Sequence, residues 1–260
     1  MRDAPARDLD SLTIATQPDE STCGPTCLQA VYGFYGDALA LDAVIAEVTM
    51  LEEGGTLGAL LGQHARRRGF RAALLPYNLL VFDPTWAGLS QEALAAKLEA
   101  QAQVKREREL QRAIRAYQGF LELGGKILLE PLTRLLLRRL VRAGKPVIAG
   151  LSATYLYQSS RERGLEDDDV EGVPTGHFVV LCGYDQETRR MAVADPYGPD
   201  RQARASRYWI DIDRLIGAIL LGVLTYDANL LVLEPPEDDG AHSQRSAVSS
   251  GGSGRSGSGR

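Results

Sequence analysis

The sequence is poor in cysteine and has no excess of positive charge. Its three cysteines, Cys23, Cys27 and Cys182, cannot all pair with one another and do not resemble the framework of a secreted, crosslinked domain. A reducing compartment is therefore expected. The net charge is -5 and the isoelectric point is near 5.4. This acidity argues against a nucleic-acid partner, because nucleic-acid-binding proteins usually present a basic face.

Long hydrophobic runs are also missing. The first ten residues contain no apolar segment of the kind that a secretory signal requires. The most apolar later stretch, 215–226, is flanked by charged residues and is shorter than the roughly 20 residues that cross a bilayer. These absences predict a soluble, cytoplasmic protein with no membrane partner.

The composition is that of an ordinary globular protein. A chain of 260 residues is long enough for one large domain or two small ones, and its core needs no crosslinks. Hydrophobic residues make up 44% and charged residues 24% of the sequence, as in typical soluble domains.

The first part of the chain is predicted to be helical. Pro25 suits the first turn of a helix from Cys23 to Tyr35, and Gly36 is expected to end it. Two further helices are predicted over 42–50 and 56–68, each beginning at a capping residue, and a strand over 70–75 follows. His64 is expected on the surface of the second of these helices.

Residues 85–145 predict a helical hairpin inserted into the domain. Ser90 is placed to cap its first helix, which is expected to continue through the charged run 105–109. The pair Gly124-Gly125 separates it from a second helix that extends to Arg142. The charged run is interpreted as a solvated face, and the alternative is a surface that binds a partner protein.

After Gly144 the pattern becomes that of short strands separated by turn residues, over 146–151, 177–182, 191–194, 208–210 and 229–233. A helical half followed by antiparallel strands predicts an α+β fold. The domain is expected to span residues 1–238. Residues 239–260 are rich in Ser, Gly and Arg, which predicts a flexible tail.

Four residues in these segments have the chemistry that acyl transfer through a thioester requires. Cys23 begins a helix, where unpaired backbone N–H groups and the helix dipole favour a thiolate. His177 begins a strand and is suited to act as general base and acid. Asp195, before Pro196, is placed to orient the imidazole. The side-chain N–H of Gln17 and the backbone N–H of Cys23 are candidate donors to the oxyanion.

Each of these residues also has a structural alternative. Cys23 on its own is compatible with a buried structural thiol, and Asp195 with a turn residue before proline. A zinc site made of Cys23, Cys27, His177 and Asp195 is chemically possible, but it is disfavoured because two thiols four residues apart on a helix are weakly placed for it. Cys27 and Cys182 are expected to be core residues.

The motifs resemble those of the papain-like cysteine peptidases, and most of all the bacteriocin-processing family that cleaves leader peptides after a double glycine. The resemblance is carried by Gln17 six positions before Cys23, by Cys-Gly-Pro-Thr-Cys-Leu over 23–28, by Gly176-His-Phe-Val-Val and by Asp195-Pro196. It implies that Cys23 is the nucleophile, His177 the general base and acid, Asp195 its orienting partner and Gln17 the oxyanion donor.

The resemblance implies a papain-like fold, with the nucleophile helix packed on an antiparallel sheet, and hydrolysis of peptide or isopeptide bonds without a cofactor or metal. No membrane segments or ATPase motifs follow, although that family is best known as part of ATP-driven peptide exporters. Gly176, Tyr157 and Asp168 are candidate substrate-binding residues, Asp168 as part of an acidic loop that is otherwise a solvated surface. Acyl transfer to an amine and a peptide-binding module without turnover are the alternatives.

Overall fold

The structure, a computed structural model, describes residues 8–52, 54–164, 166–197 and 206–236. Its helices are α1 (Cys23–Tyr35), α2 (Leu41–Glu47), α3 (Gly58–Arg67), α4 (Gln91–Val104), α5 (Arg108–Glu122), α6 (Arg134–Arg142), α7 (Ala153–Tyr157) and α8 (Ile212–Leu221). Its strands are β1 (Arg71–Pro76), β2 (Lys126–Ile127), β3 (Val147–Ser152), β4 (Glu162–Arg163), β5 (Glu166–Asp167), β6 (Gly176–Asp185), β7 (Arg190–Ala194), β8 (Arg207–Asp211) and β9 (Asn229–Glu234).

Seven of the strands form one sheet in the order β2-β1-β9-β3-β6-β7-β8, while β4 and β5 form a separate small hairpin. All neighbours in the large sheet are antiparallel except β1 and β2. Helices α1 and α6 pack against β6, α3 against β1 and β9, and α8 against β3. The central strand β3 is buried along its whole length. The α+β class predicted from the sequence is confirmed.

Helix α1 has the bounds that the sequence predicts. It ends where Gly36 adopts a left-handed conformation with φ 89°, which a residue without a Cβ adopts at little cost. The thiol of Cys27 is fully buried and donates to the carbonyl oxygen of Phe178 at 3.2 Å. Cys27 is therefore a core residue that joins α1 to β6, and Cys182 is likewise buried within that strand.

The next two helices begin differently from the prediction. Helix α3 starts at Gly58 after Leu57, and α2 starts after Ala40, and neither preceding residue makes a side-chain cap. The hydroxyl of Thr56 donates instead to the carbonyl oxygen of Thr49 at 2.8 Å. The predicted capping of both helices is therefore wrong, because the residues that precede them, Ala40 and Leu57, have no side-chain acceptor for the first-turn N–H groups.

The prediction that His64 lies on the surface is also wrong. Its exposed fraction is 3%, because α3 is covered by α1, α5 and the sheet. Its Nδ1 lies 2.8 Å from the hydroxyl of Tyr32, and its Nε2 lies 3.1 Å from Oε2 of Glu47. Burial lowers the pKa of His64 despite the Glu47 carboxylate, so that this histidine is a satisfied core residue.

Helices α4 and α5 pack against each other as a hairpin, but both lie within the first of the two predicted helices, so the predicted hairpin is placed differently. The hydroxyl of Ser90 accepts from the N–H of Ala93 at 3.2 Å, as the sequence predicts. However, the charged run interrupts the first helix, since α4 ends at Val104 and α5 begins at Arg108. The second predicted helix starts only at Arg134, because the chain after Gly125 is extended and pairs with β1 through β2. A partner-binding role of the hairpin stays a prediction.

Residues 237–260, which include the predicted tail, lie outside the described residues. Within the described ranges, none of the helices combines the length and the apolar character that crossing a membrane requires.

Candidate active site

Cys23 is the first residue of α1, at the point where that helix meets β6. The N–H groups in the first turn of a helix have no intrahelical partner, so they and the helix dipole favour negative charge there. The side chain of Cys23 is 8% exposed. The predicted nucleophile therefore has a largely desolvated position with a favourable local field.

His177 is the second residue of β6 and pairs with Leu151 of β3, which holds its backbone in the sheet. Its exposed fraction is 2%. The Nε2 atom lies 2.9 Å from Oδ1 of Asp195, and Cys23 is close enough to the ring to raise the pKa of His177. Because Nε2 is engaged by the carboxylate, Nδ1 is the nitrogen left for the thiol.

Asp195 follows directly after β7, and its N–H donates to the carbonyl oxygen of Ser206 at 2.8 Å. Only 3% of the residue is exposed. The N–H of Tyr197 donates to Oδ1 at 3.0 Å, and the hydroxyls of Tyr157 and Tyr208 each donate to Oδ2 at 2.7 Å. The buried carboxylate is thus fully supplied with donors.

The histidine and the carboxylate stabilise each other's charged forms. Burial lowers the pKa of His177, but Asp195 and then Cys23 outweigh it and raise the value to about 10. Burial raises the pKa of Asp195, but His177 and the hydroxyl of Tyr157 reduce it to about 2. An imidazolium of His177 beside the ionised carboxylate of Asp195 is therefore favoured near neutral pH.

Gln17 joins the segment before Cys23 to the turn after Asp195. Its main-chain N–H donates to the carbonyl oxygen of Pro196 at 2.8 Å. Its side-chain Nε2 donates to the carbonyl oxygen of Asp19 at 2.7 Å, which uses one of its two N–H groups. None of the residues that the structure describes provides a hydrogen-bond partner for its buried Oε1 atom. One N–H of this amide is left for a ligand.

The three candidate substrate residues lie in different surroundings. Gly176 pairs with Ser152 beside His177. The hydroxyl of Tyr157 is engaged by Asp195. The carboxylate of Asp168 accepts from the N–H groups of Val170 and Glu171, so that it organises its own turn. Their role in binding substrate stays a prediction.

Two aromatic residues near the histidine were not anticipated from the sequence. The ring of Tyr197 lies edge-on to that of His177, with centroids 5.1 Å apart, and its hydroxyl donates to Glu20 at 2.8 Å. Tyr208, on β8, reaches Asp195. The available signal for Tyr208 was its place on a predicted strand, which identifies neither its neighbours nor the direction of its hydroxyl.

Within the described ranges, no group of three or more histidine, cysteine or acidic side chains is arranged to hold a metal ion. The Cys27 thiol, one of the four ligands of the zinc alternative, is instead bonded to a carbonyl oxygen. Burial, and then the neighbouring Cys23 and Asp195, raise the pKa of Cys27, and the protonated thiol is a poor metal ligand.

Residues 90–214, just under half of the chain, match the model of the Peptidase_C39 like family. The match confirms the family resemblance predicted from the motifs. It includes His177 and Asp195 and stops short of Cys23 and Gln17. A search of curated proteins finds no match.

Several solved structures are similar in part. A protein from Bacillus anthracis described as a putative C39-like peptidase is 15% identical, with 87% of this chain and 96% of that chain covered and a TM-score of 0.46. The peptidase domain of Streptococcus ComA, a bi-functional ABC transporter, is 13% identical, with 86% and 98% covered and a TM-score of 0.42. Xylellain, a cysteine protease from Xylella fastidiosa, is 14% identical, with 88% and 85% covered and a TM-score of 0.42.

Proposed function

We propose that this relative of the C39-like peptidases is a cysteine peptidase that hydrolyses peptide or isopeptide bonds through Cys23, His177 and Asp195. The observation that carries the proposal is a buried imidazole that bonds to the carboxylate of Asp195 and whose pKa is also raised by the neighbouring Cys23. Three such groups in line activate a nucleophile and supply a proton to a leaving group.

In the first half of the reaction, the Cys23 thiolate attacks the scissile carbonyl carbon and the C=O electron pair moves to oxygen. The backbone N–H of Cys23 and the side-chain N–H of Gln17 donate to this oxyanion. As the C–N bond breaks, the imidazolium of His177 gives its proton to the departing amine. The acyl group remains on Cys23 as a thioester.

In the second half, the neutral imidazole of His177 takes a proton from water while the water oxygen attacks the thioester carbonyl. The C–S bond breaks, and the carboxylic acid leaves. The thiolate and the imidazolium are restored. Asp195 stays ionised throughout, and its role is to hold the ring and to stabilise its positive charge.

The test is cleavage of a diverse peptide library, with the products read by mass spectrometry. The wild-type protein and Cys182→Ala are expected to produce the same fragments, because Cys182 is a buried thiol within β6. Cys23→Ala and His177→Ala are expected to produce none. Fragments that persist in Cys23→Ala would contradict the proposal, since a contaminating enzyme would then be responsible.

Alkylation by iodoacetamide near pH 5 separates an enzyme from a peptide-binding module. A thiolate–imidazolium pair predicts selective labelling of Cys23, which is lost in His177→Ala. Slow and uniform labelling of Cys23, Cys27 and Cys182 would show that the pair does not form, and would favour a protein that binds peptides without turnover.

A further inference from the structure

The carboxylate of Asp195 has four donors although it is almost completely buried. His177 and the N–H of Tyr197 donate to Oδ1, and the hydroxyls of Tyr157 and Tyr208 both donate to Oδ2 at 2.7 Å. An ionised carboxyl group accepts about four hydrogen bonds. The two phenols therefore satisfy the oxygen that does not face the imidazole.

The two phenols come from separate parts of the fold. Tyr157 is the last residue of α7, 38 positions before Asp195. Tyr208 lies on β8, where it pairs with Val193 of β7, two positions before the carboxylate. Strand pairing on one side and a helix end on the other thus fix both hydroxyls relative to the same oxygen.

Both hydroxyls are suited to donate rather than to accept. Burial, and then the charge of Asp195, raise the pKa of Tyr157 far above its ordinary range. That phenol is consequently protonated near neutral pH and donates its proton to the carboxylate. The two hydrogen bonds to Oδ2 also restrict rotation of the carboxyl group, so that Oδ1 keeps facing Nε2 of His177.

We propose that Tyr157 and Tyr208 are positioning residues of the triad, which keep Asp195 ionised and oriented toward His177. The inference rests on the proposed function, because it assigns to the carboxylate the task of supporting the imidazolium. It gives Tyr157 a role in the catalytic machinery in addition to any contact with substrate. Neither phenol touches the reacting atoms.

Removal of the two hydroxyls is expected to make the carboxyl group of Asp195 easier to protonate. In the described part of the chain, the titratable side chains near Asp195 include His177, Cys27 and the tyrosines Tyr157, Tyr197 and Tyr208, while Cys23 and Asp227 act on the charge of His177. Without the two phenolic donors, burial opposes ionisation of the carboxyl group and only His177 and one N–H favour it. The carboxyl group then takes up a proton at higher pH, and the imidazolium loses its partner there.

The experiment compares Tyr157→Phe, Tyr208→Phe and the double variant with the wild type by the rate of Cys23 alkylation between pH 2 and pH 9. Phenylalanine keeps each ring and removes only its hydroxyl. The acid limb of the profile, which is the pH range over which the alkylation rate falls on acidification, is expected to move up by about one pH unit for each hydroxyl removed. The alkylation rate above pH 7 is expected to change less. Once a substrate is known, kcat is expected to fall more than KM rises.

Tyr155→Phe is the matched control, since Tyr155 lies on the same helix as Tyr157 but is 40% exposed. It is expected to keep the wild-type profile. A purely structural role would lower the melting temperature without moving the acid limb. If the single and double variants fold and their pH profiles superpose on that of the wild type, this inference is overturned and the proposed function is not. Unselective labelling of the three thiols in the wild type would instead overturn the proposed function.

Discussion

The N–H of Gln17 donates to the carbonyl oxygen of Pro196, with a distance of 2.8 Å between nitrogen and oxygen. This bond joins the segment before Cys23 to the turn that follows Asp195. The segments that carry Gln17, the candidate oxyanion donor, and Asp195, the candidate orienting carboxylate, are consequently joined by one main-chain hydrogen bond. A side-chain substitution at position 17 leaves that contact in place.

The role of Gln17 is therefore testable without disturbing the fold. Gln17→Ala is expected to lower turnover by roughly two to three orders of magnitude, because it removes one oxyanion donor, and to leave the melting temperature unchanged. Gln103→Ala, which removes an amide bonded to Glu99 on the exposed side of α4, is the control and should keep full activity. Wild-type turnover in Gln17→Ala would remove Gln17 from the oxyanion site.

The charge state of His177 is expected to depend on Asp195. In Asp195→Asn the negative charge is gone, so that the pKa of His177 should fall well below its wild-type value of about 10. With three histidines in the chain, NMR titration of the imidazole signals measures this directly. Turnover should decrease by at least about 100-fold. An unchanged titration of His177 would show that the two side chains do not interact in solution.

Asp227 is expected to make the stability of the protein depend on pH. It is 7% exposed, and burial raises its pKa from 3.8 to about 7 although Thr225 and His177 oppose the shift. The folded state therefore binds a proton that the unfolded state releases. This stabilisation, on the order of 4 kcal/mol, is complete below about pH 3.8 and is lost as the pH rises through about 7.

Denaturant unfolding at pH 5 and pH 8 tests this linkage. Between pH 5 and pH 8, the unfolding free energy of Asp227→Asn should decrease less than that of the wild type. Asp42→Asn, on the exposed side of α2, should behave as the wild type does. An equal pH dependence in all three proteins would show that Asp227 ionises normally in the folded state.

The position before His177 is expected to tolerate only glycine. A Cβ at Gly176 would lie 1.9 Å from Oδ2 of Asp227 and 2.7 Å from the hydroxyl oxygen of Thr225. Gly176→Ala should therefore lower the unfolding free energy by roughly 1–3 kcal/mol. Gly33→Ala, in an open position of α1, should instead gain roughly 0.5–1 kcal/mol. Equal stability of the two variants would contradict the crowding at Gly176.

Local sequence patterns were sufficient to predict many elements. Proline in the first turn and Gly36 at the end defined α1 from end to end, because both residues act through their own backbone dihedrals. The strands that contain His177 and Met191 were identified from apolar runs, for the same local reason. The spacing of Gln17 and Cys23, with His177 and Asp195 downstream, was enough to identify the candidate site.

The packing of those elements was decided by the tertiary structure. His64 is buried because α1, α5 and the sheet cover α3, and the extended chain after Gly125 forms β2 because β1 offers it backbone partners. Local periodicity contains no information about either contact. The composition of the segment after Gly125 predicted a helix, but its hydrogen bonds to β1, which lies about 50 residues earlier in the chain, outweighed this helix propensity.

The sequence by itself determined which reactive side chains the protein has and the backbone elements on which they lie. Only the tertiary structure decided that Tyr157 and Tyr208 meet on one oxygen of Asp195. The reason is that these contacts depend on the pairing of β7 with β8 and on the end of α7, which bring together residues remote in the chain. A buried carboxylate needs such donors, but its sequence neighbours do not reveal which residues provide them.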